Sequence, residues 1–559
     1  MKRLLSLTAA LGFLFIWTLT TQAATLPGTV LPGQIEKQFK PEPQIRVGES
    51  RKVAVPELDP RMPANAAEIR FQLNKVSVEG STVYSEQQMQ SVYSGYLGKE
   101  ASLADVYKIA ALLTAKYRND GYILSQVIVP AQVIEGGEAK LKAVEGYIDN
   151  IILEGVDGDR RKLIQRYSDK IKASRPLRND VLERYLLLIN DLPGAFGRAT
   201  IRPSKKSPAA SELIVQYSLQ KLQGGVSADN RGGETLGPLR LSADVSLNSV
   251  LGIQESTTLR YATSGNDKLN FLMVSHDEII GSWGGKLNLS FSGVESNPKD
   301  TEFIPLNLAT SSRTGSLTYS QALIRSRSQN LFVRANFTAY EGKTELFDVE
   351  DTKDKIRAVR IGATYDKADY WMGTNLLDIE VSQGISGLGS SKNGDPMLSQ
   401  PSGKVDFTKA AVYAARLQTI TSNISLLVAA NAQYAFTDLL SSELFSFGGE
   451  QFGRGYDPSE LVGDTGAAGK AELRYTGVLP SRYAITYTGY AFYDIGIVHQ
   501  RSPGDLPENE SAASAGAGLR LNVGPYVYAY VEVAKPLTRD VAAEGDRDPR
   551  IYGSVSVRF

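Results

Sequence analysis

One acidic residue is a candidate for ion-pair chemistry inside a β-structure. Asp494 lies in a run of alternating side chains from 484 to 496 and shares its face with Thr486 and Thr488. This alternation favours a strand whose carboxylate points to a polar interior. Tyr490 and Phe492 occupy the same face, which leaves the assignment open.

Arg454 is the candidate partner of that carboxylate. It lies between Gly453 and Gly455, which permit sharp backbone turns and allow a loop to fold back on itself. A guanidinium that reaches Asp494 could bond to its carboxylate in a bidentate manner. The alternative is a solvated loop arginine and a lone interior carboxylate, and the spacing of the two residues does not decide between them.

Enzymatic, metal and cofactor chemistry have little support in the chain. It has no cysteine and only two histidines, His276 and His499, which are far apart. Disulfides, thiolate catalysis and Cys-bound metal clusters are therefore excluded. The sequence has no Gly-x-Ser-x-Gly elbow, and Gly516-Ala-Gly518 lies in a strand pattern without a third glycine, which favours strand packing over phosphate binding. We expect a protein that is not an enzyme and holds no metal or cofactor.

The charge balance argues against nucleic acid as a partner. Among 559 residues, 61 are Lys or Arg and 61 are Asp or Glu. A general nucleic-acid binder needs a basic surface to neutralise phosphates. The length implies two to four domains unless one of them is a large β-structure.

The first 23 residues have the features of a secretory signal peptide. Lys2 and Arg3 precede an apolar run that is too short to span a membrane and that ends in small residues. Residues 24–69 are rich in proline, which favours an extended, solvated linker with a short helix between Gln34 and Lys40. Because no later stretch reaches about 18 apolar residues, any membrane-spanning part must consist of strands.

Two similar units follow the linker, at residues 70–146 and 147–220. In each unit a β-like run ends in Glu-Gly, at 79/80 and again at 154/155, and a helical stretch and further β-like runs come after it. The shared order predicts two tandem β-α-α-β-β modules. Periodicity alone does not distinguish them from generic small α+β domains.

Helix start signals support this interpretation of both units. In the first unit, Ser102 is a predicted N-cap and Asp105 lies three residues later, as in a capping box. In the second unit, Asn179 or Asp180 is the predicted N-cap.

The helical pattern disappears in residues 221–559, where alternating strands are separated by turn residues. At about 20 residues for each membrane strand and its share of loops, this region corresponds to about sixteen strands. The last strand places Ile551, Val555, Val557 and Phe559 on one apolar face, as lipid contact requires. The pattern favours an antiparallel transmembrane β-barrel over a soluble sandwich or propeller.

Four short motifs in the predicted barrel carry a family resemblance. They are Phe452-Gly-Arg454-Gly-Tyr456, Phe492-Tyr-Asp494-Ile-Gly496, Gly516-Ala-Gly518-Leu-Arg-Leu and Ala534-Lys-Pro-Leu537. Their order and their distance from the C-terminus, together with the two modules, make residues 70–559 resemble the two-partner secretion outer-membrane transporters (TpsB family, haemolysin secretion/activation protein type). The loop motif departs from the family at Gly453, where the family often has valine.

The resemblance implies a protein-translocation pore in the outer membrane of a Gram-negative cell. Its fold would be a 16-stranded barrel preceded by two periplasmic POTRA modules. It would capture one large unfolded exoprotein (a haemolysin, an adhesin or a contact-dependent toxin) and export it by type V two-partner secretion. Outer-membrane lipid and, during biogenesis, the barrel-assembly machinery would be its other partners.

The resemblance also assigns the candidate site. It implies that the loop folds back into the pore and that Arg454 pairs with Asp494 on the barrel wall. It would also make the short helix in the linker of residues 24–69 a pore plug. The supporting motif residues are Phe452, Gly453, Gly455, Tyr456, Phe492 and Gly496.

Two other transport functions remain as alternatives. An insertase that assembles other barrel proteins would more usually carry three or five modules, and a passive porin would leave residues 71–220 without a role. The chain has no phosphate-binding loop, so we expect export to draw on the free energy released when the substrate folds outside. The edge strands of the modules are predicted to capture an extended substrate by strand addition.

Overall fold

The computed structural model describes residues 26–46, 62–156, 160–265, 268–299, 303–504 and 507–559. The predicted signal peptide, residues 1–23, lies outside these ranges, as does part of the predicted linker. Among the described residues, no helix is both long enough and apolar enough to cross a membrane.

Residues 26–46, which we call the N-terminal segment, contain one short helix. A 3-10 turn at Gly28–Val30 leads into α1 (Pro32–Lys37), which overlaps the predicted helix but begins and ends earlier. Proline suits the start of a helix because its missing N–H would have no partner there. Residues 28–36 are buried, whereas the composition predicted a solvated linker. They lack a core of their own and are covered by residues of the barrel.

The first module combines two helices with two small sheets. Its elements are β1 (Arg70–Leu73), β2 (Lys75–Glu79), α2 (Glu86–Tyr93), β3 (Lys99–Ser102), α3 (Leu103–Asn119), β4 (Gln126–Ile128) and β5 (Glu138–Val144). Strand β5 lies between β2, to which it is parallel, and β4, while β1 and β3 form a separate pair that the pattern did not predict. The predicted capping box is confirmed, because Asp105 Oδ2 accepts a hydrogen bond from Ser102 N at 2.9 Å and Ser102 Oγ accepts one from Asp105 N at 3.3 Å.

The second module has the predicted β-α-α-β-β order. Its elements are β6 (Tyr147–Glu154), α4 (Arg160–Ala173), α5 (Asn179–Asn190), β7 (Ala195–Pro203) and β8 (Ala210–Leu219), with β8 central in the sheet. The predicted N-cap of α5 is wrong, since Arg178 occupies that position. Both carboxylate oxygens of Asp180 instead accept hydrogen bonds from the Arg178 guanidinium, at 3.0 and 2.8 Å.

Sixteen strands form a closed antiparallel barrel, as the length of the region predicted. They are β9 (Leu222–Asp229), β10 (Arg240–Asn248), β11 (Ser256–Ser264), β12 (Leu269–Ile280), β13 (Gly285–Ser296), β14 (Ala309–Arg325), β15 (Gln329–Leu346), β16 (Val349–Ala368), β17 (Gly373–Gly384), β18 (Thr408–Thr419), β19 (Ile424–Ala435), β22 (Thr465–Leu479), β23 (Ile485–His499), β24 (Asn509–Val523), β25 (Val527–Pro536) and β26 (Arg550–Arg558). Two further strands, β20 (Phe445–Phe447) and β21 (Leu461–Gly463), pair with each other inside the connection from β19 to β22. The seam that closes the barrel joins β26 to β9 from Ser554↔Asp229 to Arg558↔Gly225.

The two ends of the barrel differ. Strand β8 ends at Leu219 and β9 begins at Leu222, so the modules join the barrel at the end where β9 begins, which we call the module end. The side chain of Leu188 on α5 lies against the β12–β13 turn there, and a Cβ on Gly284 would come within 2.7 Å of it. The long β19–β22 connection leaves the barrel wall at the far end.

The wall has the predicted alternation of outward apolar and inward polar or aromatic side chains. In β26, Ile551 and Val555 are 67% and 52% exposed on the outer surface, whereas Tyr552 between them is 5% exposed. An outer apolar band of this kind is what contact with lipid requires.

Candidate functional site

The candidate site lies inside the barrel, on the β19–β22 connection, which folds back into the lumen. The Phe447 ring on this connection lies so close to β23 that a Cβ on Gly496 would be 2.2 Å from it. Gly453 has φ +83°, and a Cβ there would lie 2.7 Å from the same ring. The valine that the family often has at this position would not fit this loop path, because both the backbone angle and the space require glycine.

The structure brings Arg454 and Asp494 together. Arg454 Nε and Nη2 donate to Asp494 Oδ2 and Oδ1 at 2.9 and 2.8 Å, which is a bidentate ion pair. The backbone N–H groups of Gly453 and Arg454 also donate to Asp494 Oδ2, at 3.2 and 3.0 Å. Asp494 is 0% exposed and Arg454 4% exposed, so the loop is held to the wall by a buried charge-assisted contact.

The pair belongs to a larger buried network that the sequence did not predict. Arg454 Nη1 also contacts Glu472 on β22 and lies 3.8 Å from Glu532 Oε2 on β25. Arg520 Nη1 and Arg474 Nε donate to Glu472 Oε1 at 2.6 and 2.7 Å. Buried carboxylates on three different strands thus share several guanidinium groups, and this sharing distributes the charge that burial would otherwise leave unpaired.

Aromatic rings on the inner face support the network. The Arg454 guanidinium lies 3.5 Å from the centroid of Phe492, and that of Arg520 lies 3.7 Å from the centroid of Tyr490. Tyr490 OH donates to Glu532 Oε2 at 2.8 Å. In the sequence, these two aromatic residues left it undecided whether the face of Asp494 points to the interior. In the structure both rings face the lumen and stack against cations.

The remaining loop motif residues fix the loop on both sides of the arginine. Tyr456 OH donates to the carbonyl of Ala513 at 3.0 Å, and the Phe452 ring meets Tyr413 edge-on with 6.3 Å between centroids. A Cβ on Gly455 would lie 2.8 Å from Ser514 Cβ and 2.9 Å from the backbone of Pro536. Glycine therefore allows the loop backbone to approach the wall closely at this point.

Arg231 extends the network across the seam of the barrel. It follows β9, contacts Glu532, and donates from Nε to Tyr530 OH at 3.0 Å and from Nη1 to the Arg454 carbonyl at 3.3 Å. Its guanidinium lies 3.9 Å from the centroid of Tyr552 on β26. One side chain thus connects the first strand, the last two strands and the lumen loop.

The N-terminal segment lies beside the loop in the lumen. Gln34 Nε2 on α1 donates to the Ser441 carbonyl at 2.7 Å, and Ser292 Oγ donates to Glu36 Oε1 at 2.9 Å. Further along, Lys470 Nζ donates to Glu42 Oε1 at 2.7 Å. The loop and the segment are therefore bound to each other as well as to the wall.

The segment spans the length of the lumen. Near the far end, Val30 packs against Phe303 and Leu308 in the β13–β14 connection. At the module end, the backbone N–H of Arg46 donates to Asp366 Oδ2 at 3.0 Å. Residues 26–46, together with the β19–β22 connection, thus occupy the interior through which any transported chain would have to pass.

The sequence contains a partial signal for the site residues that were not predicted from it. Glu472, Arg520 and Glu532 each lie in a strand that is otherwise suited to a membrane, where a charged side chain is predicted to face the lumen. Which of them meet depends on strand register and on the path of the loop, and neither is visible in the local sequence. Within the described residues, no group of three or more His, Asp or Glu side chains is arranged to hold a metal ion.

Comparison with known proteins identifies the family. Residues 211–521 match the haemolysin secretion/activation protein family ShlB/FhaC/HecB, and residues 71–146 match the ShlB-type POTRA domain. The chain belongs to this family. The family places the barrel in the outer membrane and the modules in the periplasm, so the module end of the barrel is periplasmic and the far end extracellular.

Individual relatives cover most of the chain. It is 24% identical over 496 residues to the heme/hemopexin transporter protein HuxB of Haemophilus influenzae, with 85% of both proteins covered. The solved structure of CdiB from Escherichia coli is similar with a TM-score of 0.71 and 19% identity, covering 90% of this chain and 93% of that one. BamA from Haemophilus ducreyi, solved without its POTRA domains 1–3, has a TM-score of 0.51 and 12% identity, covering 88% of this chain and all of that one, and shows the shared fold alone.

Proposed function

We propose that this chain exports one large partner protein across the outer membrane and receives it at the periplasmic modules. The observation that carries this proposal is the match of residues 211–521 to a family of secretion/activation proteins. HuxB is named a heme/hemopexin transporter protein and CdiB an outer membrane transporter. By analogy with them, the substrate here is a large exoprotein of the haemolysin, adhesin or contact-dependent toxin class, transported unfolded.

Strand β7 of the second module is our candidate for substrate capture. In the part of the chain that the structure describes, β7 is an edge strand that pairs with β8. An edge strand offers unpaired backbone donors and acceptors to an extended chain. Phe196 on β7 is 57% exposed, and a Cβ on Gly194 just before β7 would lie 2.8 Å from the Asn248 side chain of the barrel. A chain added to β7 would therefore lie next to the entrance of the pore.

We further propose that the Arg454–Asp494 pair holds the loop in the position that export requires. Removing either partner leaves the other buried charge with fewer bonds, at a cost of about 3–5 kcal/mol where desolvation is substantial. Because the loop is bound from inside a closed barrel, its release would change the lumen without breaking the wall.

The test uses cells that express the chain with its secreted partner, the large β-helical protein expected from a neighbouring reading frame. Arg454→Ala and Asp494→Ala should each strongly reduce the amount of partner outside the cell, while the barrel stays inserted and heat-modifiable. The double variant should be no worse than the worse single one, because a shared contact is lost only once.

Arg334→Ala provides a matched control, since Arg334 pairs with Asp378 and Glu380 on the wall. It should export more than the Arg454 variant. Additive defects in the double variant would contradict the joint role of the pair. Deletion of the chain tests the alternatives. Loss of other outer-membrane barrels in the deletion strain would favour the insertase alternative. An unchanged amount of partner outside the deletion strain would exclude export by this chain.

A further inference from the structure

Exposed aromatic residues mark the level of the membrane surface at the periplasmic end of the barrel. The short turns there carry five aromatic side chains, each with more than half of its surface exposed: Trp283, Tyr370, Trp371, Tyr483 and Tyr526. Aromatic girdles of membrane barrels lie at the lipid headgroups, where one part of the ring is in an apolar environment and the other in a polar one. The turns therefore lie at the headgroups of the periplasmic leaflet.

Helix α4 of the second module lies at the same level. Lys170 Nζ on α4 is 4.4 Å from the centroid of the Trp283 ring. Its neighbour α5 is bound to the same turn, because Arg184 Nη2 donates to the Trp283 carbonyl at 3.0 Å. Asp191, which follows α5, accepts two hydrogen bonds of 2.7 Å from Arg325 at the end of β14. These contacts place α4 beside the periplasmic turns of the barrel.

The surface of α4 that faces away from the module core is strongly cationic. Leu163, Ile164 and Tyr167 on the opposite face are buried in that core. The exposed or half-buried face carries one acidic residue, Asp169, which accepts a hydrogen bond from Gln165 Nε2 at 2.9 Å. The cationic side chains of this face are Arg161, Lys162, Arg166, Lys170 and Lys172.

We propose that this cationic face of α4 binds anionic phospholipid headgroups in the periplasmic leaflet of the outer membrane. A basic helix on a soluble surface usually has only solvent around it, but this one is next to the aromatic girdle, within reach of headgroup phosphates. Each cation near an anionic membrane surface adds to the electrostatic attraction between the helix and the membrane, and salt screens this attraction. The contact holds the second module against the membrane beside the pore entrance. This inference rests on the membrane location of the protein and not on its export function.

The absence of cysteine in the chain allows a single site-specific label. Ala173→Cys, on the exposed face at the end of α4, is labelled with a fluorophore in the full-length protein in lipid nanodiscs. Quenching by headgroup-spin-labelled lipid then measures how close α4 is to the membrane. We expect strong quenching in discs that contain phosphatidylglycerol, weaker quenching in discs of phosphatidylcholine alone, and loss of the difference at high salt.

Charge removal on α4 tests the residues directly. Arg161→Gln, Arg166→Gln and Lys172→Gln together should reduce quenching in phosphatidylglycerol discs to the phosphatidylcholine level. The matched control removes three exposed cations of the first module, by Lys108→Gln, Lys140→Gln and Lys142→Gln, and should leave quenching unchanged. Heat-modifiability of the barrel confirms that both triple variants are folded.

Two results would overturn the proposal. Equal quenching in the two lipid compositions at low salt would show that α4 does not recognise anionic headgroups. Unchanged quenching in the α4 triple variant, together with weaker binding of the unfolded N-terminal part of the exported partner, would show that the cations recognise acidic segments of the substrate instead.

Discussion

Asp494 accepts four hydrogen bonds from one short stretch of loop, two from the Arg454 side chain and two from backbone N–H groups. Arg454→Ala therefore leaves the buried carboxylate with two donors, whereas Asp494→Ala removes the acceptor for the side chain and the backbone together. Because Arg454→Ala keeps the two backbone bonds to Asp494 and Asp494→Ala removes all four bonds between this residue and the loop, the aspartate variant should displace the loop further. The larger defect is expected for Asp494→Ala.

A substitution at Gly453 tests the loop path at the same scale. Gly453→Val should reduce export as strongly as Arg454→Ala, because valine at φ +83° is strained, at a cost of about 1–3 kcal/mol, and because its side chain would meet the Phe447 ring. Partner protein outside the cell and heat-modifiability of the barrel are the measurements.

The control for this prediction is Gly394→Val on another loop. Gly394 has a similar φ of +78°, but a Cβ there meets nothing within 4 Å, so the backbone strain is matched and the collision is absent. Near-normal export is expected from the control. Normal export by Gly453→Val itself would show that the loop can take a different path without loss of function.

Elements with a strong local pattern could be predicted from the sequence. The alternation of β26, the capping box at Ser102 and the number of barrel strands all follow from local periodicity and length. The burial of residues 28–36 could not be predicted, because the residues that cover them, such as Ser441 and Ser292, are hundreds of positions away. The partners of Asp494 were predictable only through the family resemblance, and Glu472 and Glu532 were missed for lack of strand register.

A pair of substitutions in β26 tests which face of the wall meets lipid. Val555→Arg should destabilise the barrel by about 2–4 kcal/mol if it lies near the bilayer midplane and should lower the amount of heat-modifiable protein in the membrane. Ser556→Arg, one residue further on and facing the lumen, should have a mild effect. Similar losses at the two positions would mean that the strand does not separate lipid from lumen in this register.

At the scale of the whole molecule, one chain of hydrogen bonds joins the second module to the N-terminal segment in the lumen. Asp191 is bonded to Arg325, whose Nη1 donates to Asn330 Oδ1 at 2.9 Å. Asn330 Nδ2 donates to Asp366 Oδ1 at 2.7 Å, and the other oxygen of Asp366 accepts from the backbone of Arg46. Movement of the module relative to the barrel would therefore act on the segment that fills the pore.

Conductance in planar bilayers measures this coupling. Arg325→Met should increase the frequency of open-channel events, because it removes the bonds to Asp191 and Asn330 and so weakens the support of Asp366. Arg416→Met is the matched control. Arg416 also binds a carboxylate at the periplasmic end, that of Asp369, but this ion pair is not part of the path to the segment. An equal frequency of open-channel events in both variants would show that these hydrogen bonds connect the module to the segment without energetic coupling between them.

The position of residues 26–46 also determines when they can bind. They precede the barrel strands in the chain, yet Gln34 binds a carbonyl 407 positions later, and the lumen exists only once β26 has paired with β9. The segment can therefore complete its contacts only after strands that are far apart in the sequence have paired, and such long-range pairing is slow. Docking of the segment is thus among the last steps of assembly, and a barrel that inserts into the membrane before its segment docks would be a leak across the outer membrane.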